Sequence, residues 1–518
     1  MPASEQAQST MTTSPSTLCK ALDVLIADVT SEAAVQLAAW DGMIERKSFT
    51  LSAQNLACYL AIRRLDLRKL QRPLIALGVS SLGRLEGRVL PTLLAVRAAL
   101  GALARSGTEP AKSKGAAADP SFFDGEARLA ANALEIFGIP SRPDGVSLLV
   151  TCPSEAADGP EFMAMMVEKR VEAVRINCAH DNQKAWRRMI DHLHAAEAVS
   201  GRRVRVFMDL AGPKIRVGAI DRRNKHKRAH IGHTIALTAV GELNKIHDTP
   251  HNRFGLECTL SQALTGSKVG DRIFIDDGRL EARIDRVEPW GLVAQVVVSL
   301  EKGLHLRSEK GLNFPDGQFQ VVALTEKDRK DLAFVSTYAD TIEYSFVQSA
   351  GDVVLLQEAL AKLRPTEWMT QSLVLKIETA RAVHNLPDII VQAAGRQPTA
   401  VMIARGDLAV EIGFSRTAEI QEEILWLGEA ADIPVIWATQ VLDELITTGE
   451  SSRSEMTDAA MAARSECVML NKGRFLGEGI DQLRTLLSRM VDHQHKKTPQ
   501  LRALKSWGAP IPPSAPRP

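Results

Sequence analysis

Hydrophobic and polar positions follow different periods in two parts of the chain. Between residues 17 and 105 apolar residues recur at helical spacing, as in ALDVLIADV and LACYLAIRRLDL, and β-branched alternation is scarce. From about Val146 short apolar, β-branched runs alternate with longer amphipathic stretches. The pattern predicts an N-terminal α-helical domain over 17–105, a linker over 106–121 and an α/β region after it.

Eight short apolar runs in the second part are predicted strands. They are VSLLV (146–150), AVRIN (173–177), VRVFMDL (204–210), TIEYSF (341–346), LVLKIE (373–378), AVMIAR (400–405), PVIWAT (434–439) and CVMLNK (467–472). Strand–helix alternation implies parallel pairing, and eight repeats are enough to close a (β/α)8 TIM barrel. The predicted fold class is therefore α/β, with a barrel formed by 122–218 and 318–490.

The segment 219–317, between the third and fourth predicted strands, has a different pattern. TIALTAV, RIFIDDGRLEARI and GLVAQVVVSL are strand-like, and Asp277-Gly278 is a hairpin turn signal. We therefore expect a small β-barrel domain inserted after strand 3. At the ends of the chain, 1–16 is expected to be disordered and 491–518, which finishes in GAPIPPSAPRP, to be a flexible tail.

Composition argues against several classes of protein. The net charge of +1 gives no global bias toward nucleic acid or membrane, and the six cysteines contain no Cys-x-x-Cys pair, so a disulfide framework or a zinc site is not expected. The N-terminus lacks the apolar region of a secretory signal, and no window is apolar enough for a membrane span of about 18 residues. We expect a soluble, cytoplasmic protein that binds neither nucleic acid nor membrane.

Polar residues collect where the predicted strands end, which is where barrels of this kind build active sites. They are Arg175, Asn177, Asp209, Ser345, Lys376, Glu378, Asp407, Thr439, Asn471 and Lys472. A single one of them could be a solvated strand end. Their recurrence on so many strands predicts a site.

The segments Lys376-Ile377-Glu378 and Arg405-Gly406-Asp407 carry the sharpest signal. Magnesium takes oxygen ligands, often one or two carboxylates with substrate oxygens, and Glu378 and Asp407 can supply that pair. Gly406 allows close approach of the backbone to a ligand, and Lys376 is placed to neutralise a phosphoryl group in transfer. The alternative interpretation is a buried Lys–Glu pair that stabilises the barrel mouth.

Nine segments in unbroken order resemble signature segments of the pyruvate kinase family, over about residues 146–490. They are AVRINCAHD, VFMDLAGPKIRVG, VGDRIFIDDG, EKGLNFPD, LTEKDRKDLAF, LVLKIETARAV, AVMIARGDLAVEI, PVIWATQVLDELI and SRSEMTDAAMAA. The resemblance implies magnesium-dependent phosphoryl transfer from phosphoenolpyruvate to ADP, with Mn2+ as a second candidate ion. It also implies that the inserted β domain is a mobile lid, and it makes a homo-oligomer a candidate assembly.

The resemblance also implies roles for single residues. Glu378 and Asp407 would be the metal ligands, and Lys376, Arg175 and Thr439 the catalytic residues. The substrate-binding set implied is Arg175, Lys376, Gly406, Asp407, Thr439 and Ser345, with backbone N–H groups at Gly406 and Asp407 and the Thr439 hydroxyl on the substrate carboxylate. The nucleotide-binding set is Arg216, His180, Asn177, Asp277 and Lys310, although a plain loop histidine is the preferred interpretation of His180.

Three features depart from the family pattern. Lys214 falls where many relatives have a glutamate near a bound potassium ion, and Ala179 replaces a serine, so the ammonium of Lys214 is expected to substitute for the ion and make activity potassium-independent. The eighth strand continues as Asn471-Lys472-Gly473 instead of the usual Ser-Gly-Glu, which changes the proton-delivery region. The family's C-terminal regulatory domain is expected to be absent.

Two other functions stay open from the sequence. A metal-dependent aldolase or lyase acting on pyruvate or oxaloacetate also uses an arginine and two carboxylates, but has no need of the inserted domain. A non-catalytic regulator that binds phosphoenolpyruvate or a nucleotide is suggested by the changed eighth strand and by the helical domain, whose role the sequence does not assign.

Overall fold

The computed structural model describes residues 14–105, 120–141, 145–221, 228–246, 252–317, 319, 321–491, 493–496 and 498–499. Most of the predicted disordered N-terminus, linker and C-terminal tail therefore lies outside the described residues. The first helix begins at Pro15, two residues before the predicted domain start, because the Ser14 side chain accepts the Thr17 N–H as an N-cap and proline suits the first helical turn.

Seventeen α-helices lie in the described part of the chain. They are α1 (Pro15–Ala39), α2 (Thr50–Arg63), α3 (Arg68–Ala76), α4 (Val89–Arg105), α5 (Asp124–Phe137), α6 (Glu161–Glu168), α7 (Gln183–Ser200), α8 (Ser261–Thr265), α9 (Glu326–Tyr338), α10 (Ala350–Leu363), α11 (Ala380–His384), α12 (Leu386–Ala394), α13 (Arg405–Ile412), α14 (Phe414–Ala430), α15 (Asp443–Thr448), α16 (Arg453–Met461) and α17 (Leu476–Val491).

The strands of the described residues form three sheets. They are β1 (Ser147–Thr151), β2 (Ala173–Asn177), β3 (Arg205–Asp209), β4 (Val217–Asp221), β5 (Thr234–Ala239), β6 (Asn252–Cys258), β7 (Arg272–Ile275), β8 (Leu280–Glu288), β9 (Gly291–Val298), β10 (Leu312–Asn313), β11 (Thr341–Tyr344), β12 (Ser372–Ile377), β13 (Thr399–Ala404), β14 (Val435–Ala438), β15 (Cys467–Leu470), β16 (Gln494–His495) and β17 (Thr498–Pro499).

Eight parallel strands close the barrel in the order β1-β15-β14-β13-β12-β11-β3-β2, which confirms the predicted fold class. Each predicted strand matches an observed one to within two residues at either end. The inward side chains of the lower half are apolar and pack with the end of α5, where Phe137 stacks on Phe207 with ring centroids 6.0 Å apart. Helix α5 therefore closes the bottom of the barrel.

The second sheet is inserted between β3 and β11 and has seven strands in the order β10-β7-β8-β9-β5-β6-β4. An isolated bridge between Arg216 and Gly311 joins its two ends. The predicted hairpin turn lies between β7 and β8, where Asp277 and Gly278 have φ values of 56° and 80°. This left-handed backbone suits glycine and aspartate, which explains the sequence signal.

The N-terminal helices dock on the side of the barrel. Trp40 Nε1 donates to Asp388 Oδ1 (2.8 Å), and Ser52 Oγ donates to the buried carboxylate of Asp432 (2.7 Å). One helical segment of this domain, Glu86–Arg105, is long and apolar enough to cross a membrane by length and composition alone, so the expectation that no such window exists is wrong. Leu93 and Leu100 of this segment are buried in the domain core, whereas Leu94 and Leu103 are exposed, so packing in the core accounts for only part of its apolar content.

At the C-terminal end, β16 and β17 pair as a short antiparallel hairpin after α17. This hairpin falls within the segment predicted as a flexible tail, and residues 500–518 lie outside the described residues.

Candidate active site

The upper half of the barrel interior is polar. Side chains alternate inward and outward along each strand, so the residue two positions after an inward apolar residue of the lower half also faces inward. Arg175 on β2, Asp209 at the end of β3 and Lys376 on β12 all face inward, and Glu378 follows β12 directly. All four are buried. Sequence prediction placed these residues at strand ends, and the closed barrel brings them together.

Lys376 is the centre of the buried polar cluster. Its Nζ lies 3.1 Å from both Asp209 oxygens, 2.7 Å from Ser345 Oγ and 3.2 Å from Glu378 Oε1. Burial by itself lowers the pKa of Lys376, but the charges of Asp209 and Glu378 outweigh it and raise the pKa above the usual lysine value. The side chain therefore remains a fixed cation. The Ser345 hydroxyl accepts from Lys376 Nζ and also donates to Asp209 Oδ1 at 2.9 Å.

Arg175 has a protein partner on each edge of its guanidinium. Its Nε donates to Glu343 Oε2 at 2.9 Å, one terminal nitrogen donates to Thr151 Oγ1 at 3.1 Å, and the other donates to Asp209. Asp209 is thus shared between Arg175 and Lys376. Burial acts to raise the pKa of Asp209, but these two cations prevail and hold it below the usual value.

Glu343 belongs to this cluster, and sequence reasoning missed it. It lies in the middle of β11, where the alternation of TIEYSF places Thr341, Glu343 and Ser345 on one face. Glu343 is 0% exposed, its Oε1 has no hydrogen-bond partner, and burial, with Asp209 nearby, raises its pKa to about 7 despite Arg175. A carboxylate inside an otherwise apolar strand was the signal that could have identified it.

The two predicted metal ligands lie at the mouth, near enough for the charge of Asp407 to act on Glu378. Burial raises the pKa of Glu378, and the nearby charge of Asp407 adds to the rise although Lys376 opposes it. Asp407 Oδ1 accepts from Lys214 Nζ at 2.8 Å, so an ammonium partly neutralises the acidic pair. Two carboxylates are a suitable pair of ligands for a divalent ion. Among the described residues, no group of three or more Asp, Glu, His or Cys side chains is arranged to hold a metal ion. Water or substrate oxygens would therefore complete the coordination.

The backbone after β13 turns directly into α13, so that Gly406 and Asp407 lie in the first turn of this helix. The Gly406 N–H donates to Thr439 Oγ1 at 2.8 Å. Thr439 and Gln440 have φ values of 66° and 55°, which are strained for residues other than glycine. The hydroxyl of Thr439 and the first N–H groups of α13 therefore face each other at the barrel mouth.

A cavity of about 310 Å3 opens beside Arg175 and is lined by Asn177, His180, Asn471 and Lys472. Burial, Lys472 and Arg216 all lower the pKa of His180. Arg175 and Lys472 line this space together with the carboxylates of Asp181 and Asp443, and the two cations offer contacts to an anionic ligand. The altered residues after the eighth strand thus face the cavity and add a positive charge to it.

The remaining predicted nucleotide contacts belong to the inserted domain. Arg216 donates to the Glu309 carbonyl at 2.7 Å, and Lys310 pairs with Asp276 at 2.8 Å. Asp277 Oδ1 lies 4.0 Å from Lys214 Nζ, which places Asp277 beside the acidic pair rather than beside the cavity of His180.

Comparison with known proteins agrees with this architecture. The family model described as pyruvate kinase, barrel domain, matches residues 146–478. The chain is 29% identical to a pyruvate kinase of Mycobacterium intracellulare over 326 residues (62% of this chain, 64% of the relative) and 30% identical to one of Mycobacterium tuberculosis over 303 residues (58% and 60%). It therefore spans somewhat less than two thirds of the length of these relatives.

Two further comparisons extend over more of the chain. A pyruvate kinase of Agrobacterium vitis is 29% identical over 376 residues, or 71% of this chain and 74% of the relative. The crystal structure of a pyruvate kinase from Cryptosporidium parvum superposes with a TM-score of 0.58 at 23% identity, covering 69% of this chain and 72% of that one, which supports the fold.

The fold and site define a (β/α)8 barrel protein with a buried lysine, an acidic pair and a cavity lined by Arg175 and Lys472 at the carboxyl ends of its strands. With the family model matching well over half of its length, the chain belongs to the pyruvate kinase family.

Proposed function

We propose that this protein is a magnesium-dependent pyruvate kinase of the cytoplasm that transfers the phosphoryl group of phosphoenolpyruvate to ADP. The observation that carries the proposal is the buried cation of Lys376, held by Asp209, Ser345 and Glu378 next to the acidic pair. Phosphoryl transfer needs little more than positioning and charge neutralisation, which such a fixed cation provides.

In this reaction the bond from phosphorus to the enol oxygen breaks and a bond to a terminal phosphate oxygen of ADP forms. Lys376 and Arg175 would neutralise the transferring group, and Glu378 and Asp407 would hold the divalent ion, Mg2+ or Mn2+. The bound ion would supply further positive charge to the phosphoryl oxygens. The enolate left behind then takes a proton on carbon to give pyruvate.

The substrate carboxylate is assigned to the first N–H groups of α13, at Gly406 and Asp407, and to the Thr439 hydroxyl, since anions bind well at such helix ends. The nucleotide is assigned to the cavity of Asn177 and His180, with Arg216 and Lys310 as further contacts. Asp277 is assigned to the nucleotide from the other side, beside Lys214 and the acidic pair. A homo-oligomer is part of the proposal, as the family is commonly oligomeric.

Potassium is not expected to be required. Lys214 supplies a unit positive charge at the mouth through its 2.8 Å contact with Asp407. This interpretation makes the ammonium a permanent substitute for a monovalent ion.

The test is a pair of assays on one reaction mixture, with lactate dehydrogenase reporting pyruvate and luciferase reporting ATP. Equal amounts of both products, lost when magnesium is chelated, are the expected result. Pyruvate without ATP would support a lyase instead. Binding of phosphoenolpyruvate without either product would support the regulator.

A further inference from the structure

Glu343 is unusual because it is a carboxylate in the barrel interior with one oxygen unpartnered. Its Oε2 accepts from Arg175 Nε at 2.9 Å, while its Oε1 has no donor and the residue is 0% exposed. An anionic oxygen buried without a donor is costly. Glu343 nevertheless stays in the barrel interior, because pairing of β11 with β3 and β12 fixes the direction of its side chain.

The balance of charges in the buried cluster explains why Glu343 can take up a proton. In the buried cluster two cations, Arg175 and Lys376, face three carboxylates, Asp209, Glu343 and Glu378. Asp209 is already shared by both cations and Glu378 contacts both Lys376 and the Phe346 N–H, whereas the Glu343 carboxylate has Arg175 as its one hydrogen-bond partner among the described residues. Burial raises its pKa to about 7, with Arg175 and Lys376 opposing and Asp209 adding to the rise.

Arg175 connects Glu343 to the ligand space. Arg175 is 8% exposed and lines the 310 Å3 cavity, while the Nε edge of its guanidinium is turned toward Glu343. When Glu343 is ionised, the positive charge of Arg175 is shared with two carboxylates. When Glu343 is neutral, more of that charge is available to an anion in the cavity.

We propose that Glu343 is a positioning residue that holds Arg175 in place and takes up a proton when a tetrahedral dianion, a phosphate group or its analogue, binds in the cavity. The inference rests on the proposed function insofar as the dianion is the phosphate of a substrate. Anion affinity then falls as pH rises through the titration of Glu343, because the ionised form competes for Arg175.

The groups that face Glu343 come from four strands. They are Arg175 on β2, Asp209 on β3, Lys376 on β12 and Cys467 on β15. Arg175 and Lys376 remain charged over the relevant pH range. Burial raises the pKa of Cys467 well above its usual value, so this thiol remains neutral.

Sulfate is the suitable probe, since it is a tetrahedral dianion that does not titrate between pH 6 and 9. Calorimetry on the full chain, in buffers of different ionisation enthalpy, measures both its affinity and the protons taken up. We expect sulfate to bind about tenfold more weakly at pH 8.5 than at pH 6, as for a ligand that raises one pKa by about one unit. Glu343→Gln is expected to bind sulfate with less than a twofold change over this range.

Two control variants separate Glu343 from other titrating groups. Glu411→Gln removes another buried carboxyl whose pKa burial raises to about 7 but whose partner is Asn313 at 3.1 Å, and it is expected to keep the wild-type profile. His180→Asn removes the histidine that lines the same cavity. The proposal is overturned if proton uptake persists in Glu343→Gln and disappears in His180→Asn, or if wild-type protein binds sulfate without taking up protons.

Enzyme kinetics test the role of Glu343 independently of the sulfate-binding experiment. If the protein turns over phosphoenolpyruvate, Glu343→Gln is expected to lower the KM for phosphoenolpyruvate at pH 8 severalfold, with a smaller effect on kcat. Absence of turnover in wild-type protein would contradict the proposed function and leave the sulfate result to decide on Glu343. Should Glu343→Gln fail to fold, proton uptake by wild-type protein and by His180→Asn still decides.

Discussion

At the residue scale, the site depends on charges that are held in place before any ligand arrives. Lys376 has three protein partners and Arg175 has a partner on each edge. Ordered partners lower the reorganisation needed during a reaction, which is the main source of electrostatic catalysis. The same burial makes each of these charges costly to leave unpaired.

Lys376→Met tests the central charge. We expect kcat to fall at least about a hundredfold, the scale seen when one stabilising donor is removed. The variant also leaves Asp209 and Glu378 without this cation, so its fold must be confirmed by circular dichroism before kinetics are measured. Lys184→Met, at an exposed helix position, is the matched control, and equal activity in the two variants would contradict the role of Lys376.

Lys214→Glu tests the proposed potassium independence. Reversing the charge beside Asp407 should cost at least about tenfold in activity, or 1.4 kcal/mol, when tetramethylammonium maintains ionic strength. Potassium should restore much of the loss. Wild-type protein is expected to respond equally to both salts, and a strong potassium requirement in it would refute the assignment.

At the element scale, secondary structure was readable because its patterns are local. Alternating β-branched runs predicted the eight barrel strands to within two residues, and Asp277-Gly278 predicted the hairpin of the inserted sheet. Glu343 was missed because its strand was interpreted as an apolar run with polar residues at its end. A polar side chain in the middle of a strand can be assigned to the barrel interior only once the strand is known to lie in a closed barrel.

The plug formed by the end of α5 provides a test at this scale. Phe137 is 1% exposed and stacks on Phe207 inside the barrel, so Phe137→Ala should lower the free energy of unfolding by about 3–5 kcal/mol. Urea denaturation followed by tryptophan fluorescence measures it. Phe414→Ala, at a position 81% exposed, is the control and should change stability by about 0.5 kcal/mol or less.

At the scale of the whole molecule, the helical domain is joined to the barrel by buried polar contacts. Asp432 accepts from Ser52 Oγ of the helical domain at 2.7 Å, and the main chain of Arg46 donates to the Gly395 carbonyl at 2.6 Å. Within the barrel region, Arg128 Nε of α5 also donates to Asp432 at 2.7 Å. Hydrogen bonds of this kind fix the orientation of two domains. The helical domain therefore belongs to the same folded body as the barrel.

Ser52→Ala tests that junction. Loss of a hydrogen bond to a buried carboxylate is expected to cost about 1.5–3 kcal/mol of unfolding free energy, measured by urea denaturation. Limited proteolysis should also release the helical domain faster. Ser261→Ala, on an exposed helix of the inserted domain, is the control. Identical curves for the two variants would show that the Asp432 contact does not hold the domains together.

By itself the sequence determined the strands, the helices and the place of the insertion, since each of these depends on local periodicity. It also placed Lys376 and Glu378 together at the end of one strand. Only the tertiary structure decided that Lys214 reaches Asp407, 193 residues away, and that Glu343 holds Arg175 across the barrel. Those contacts depend on strand register and barrel closure, which bring distant positions together. Local periodicity records which face a residue is on, but not which residue lies opposite.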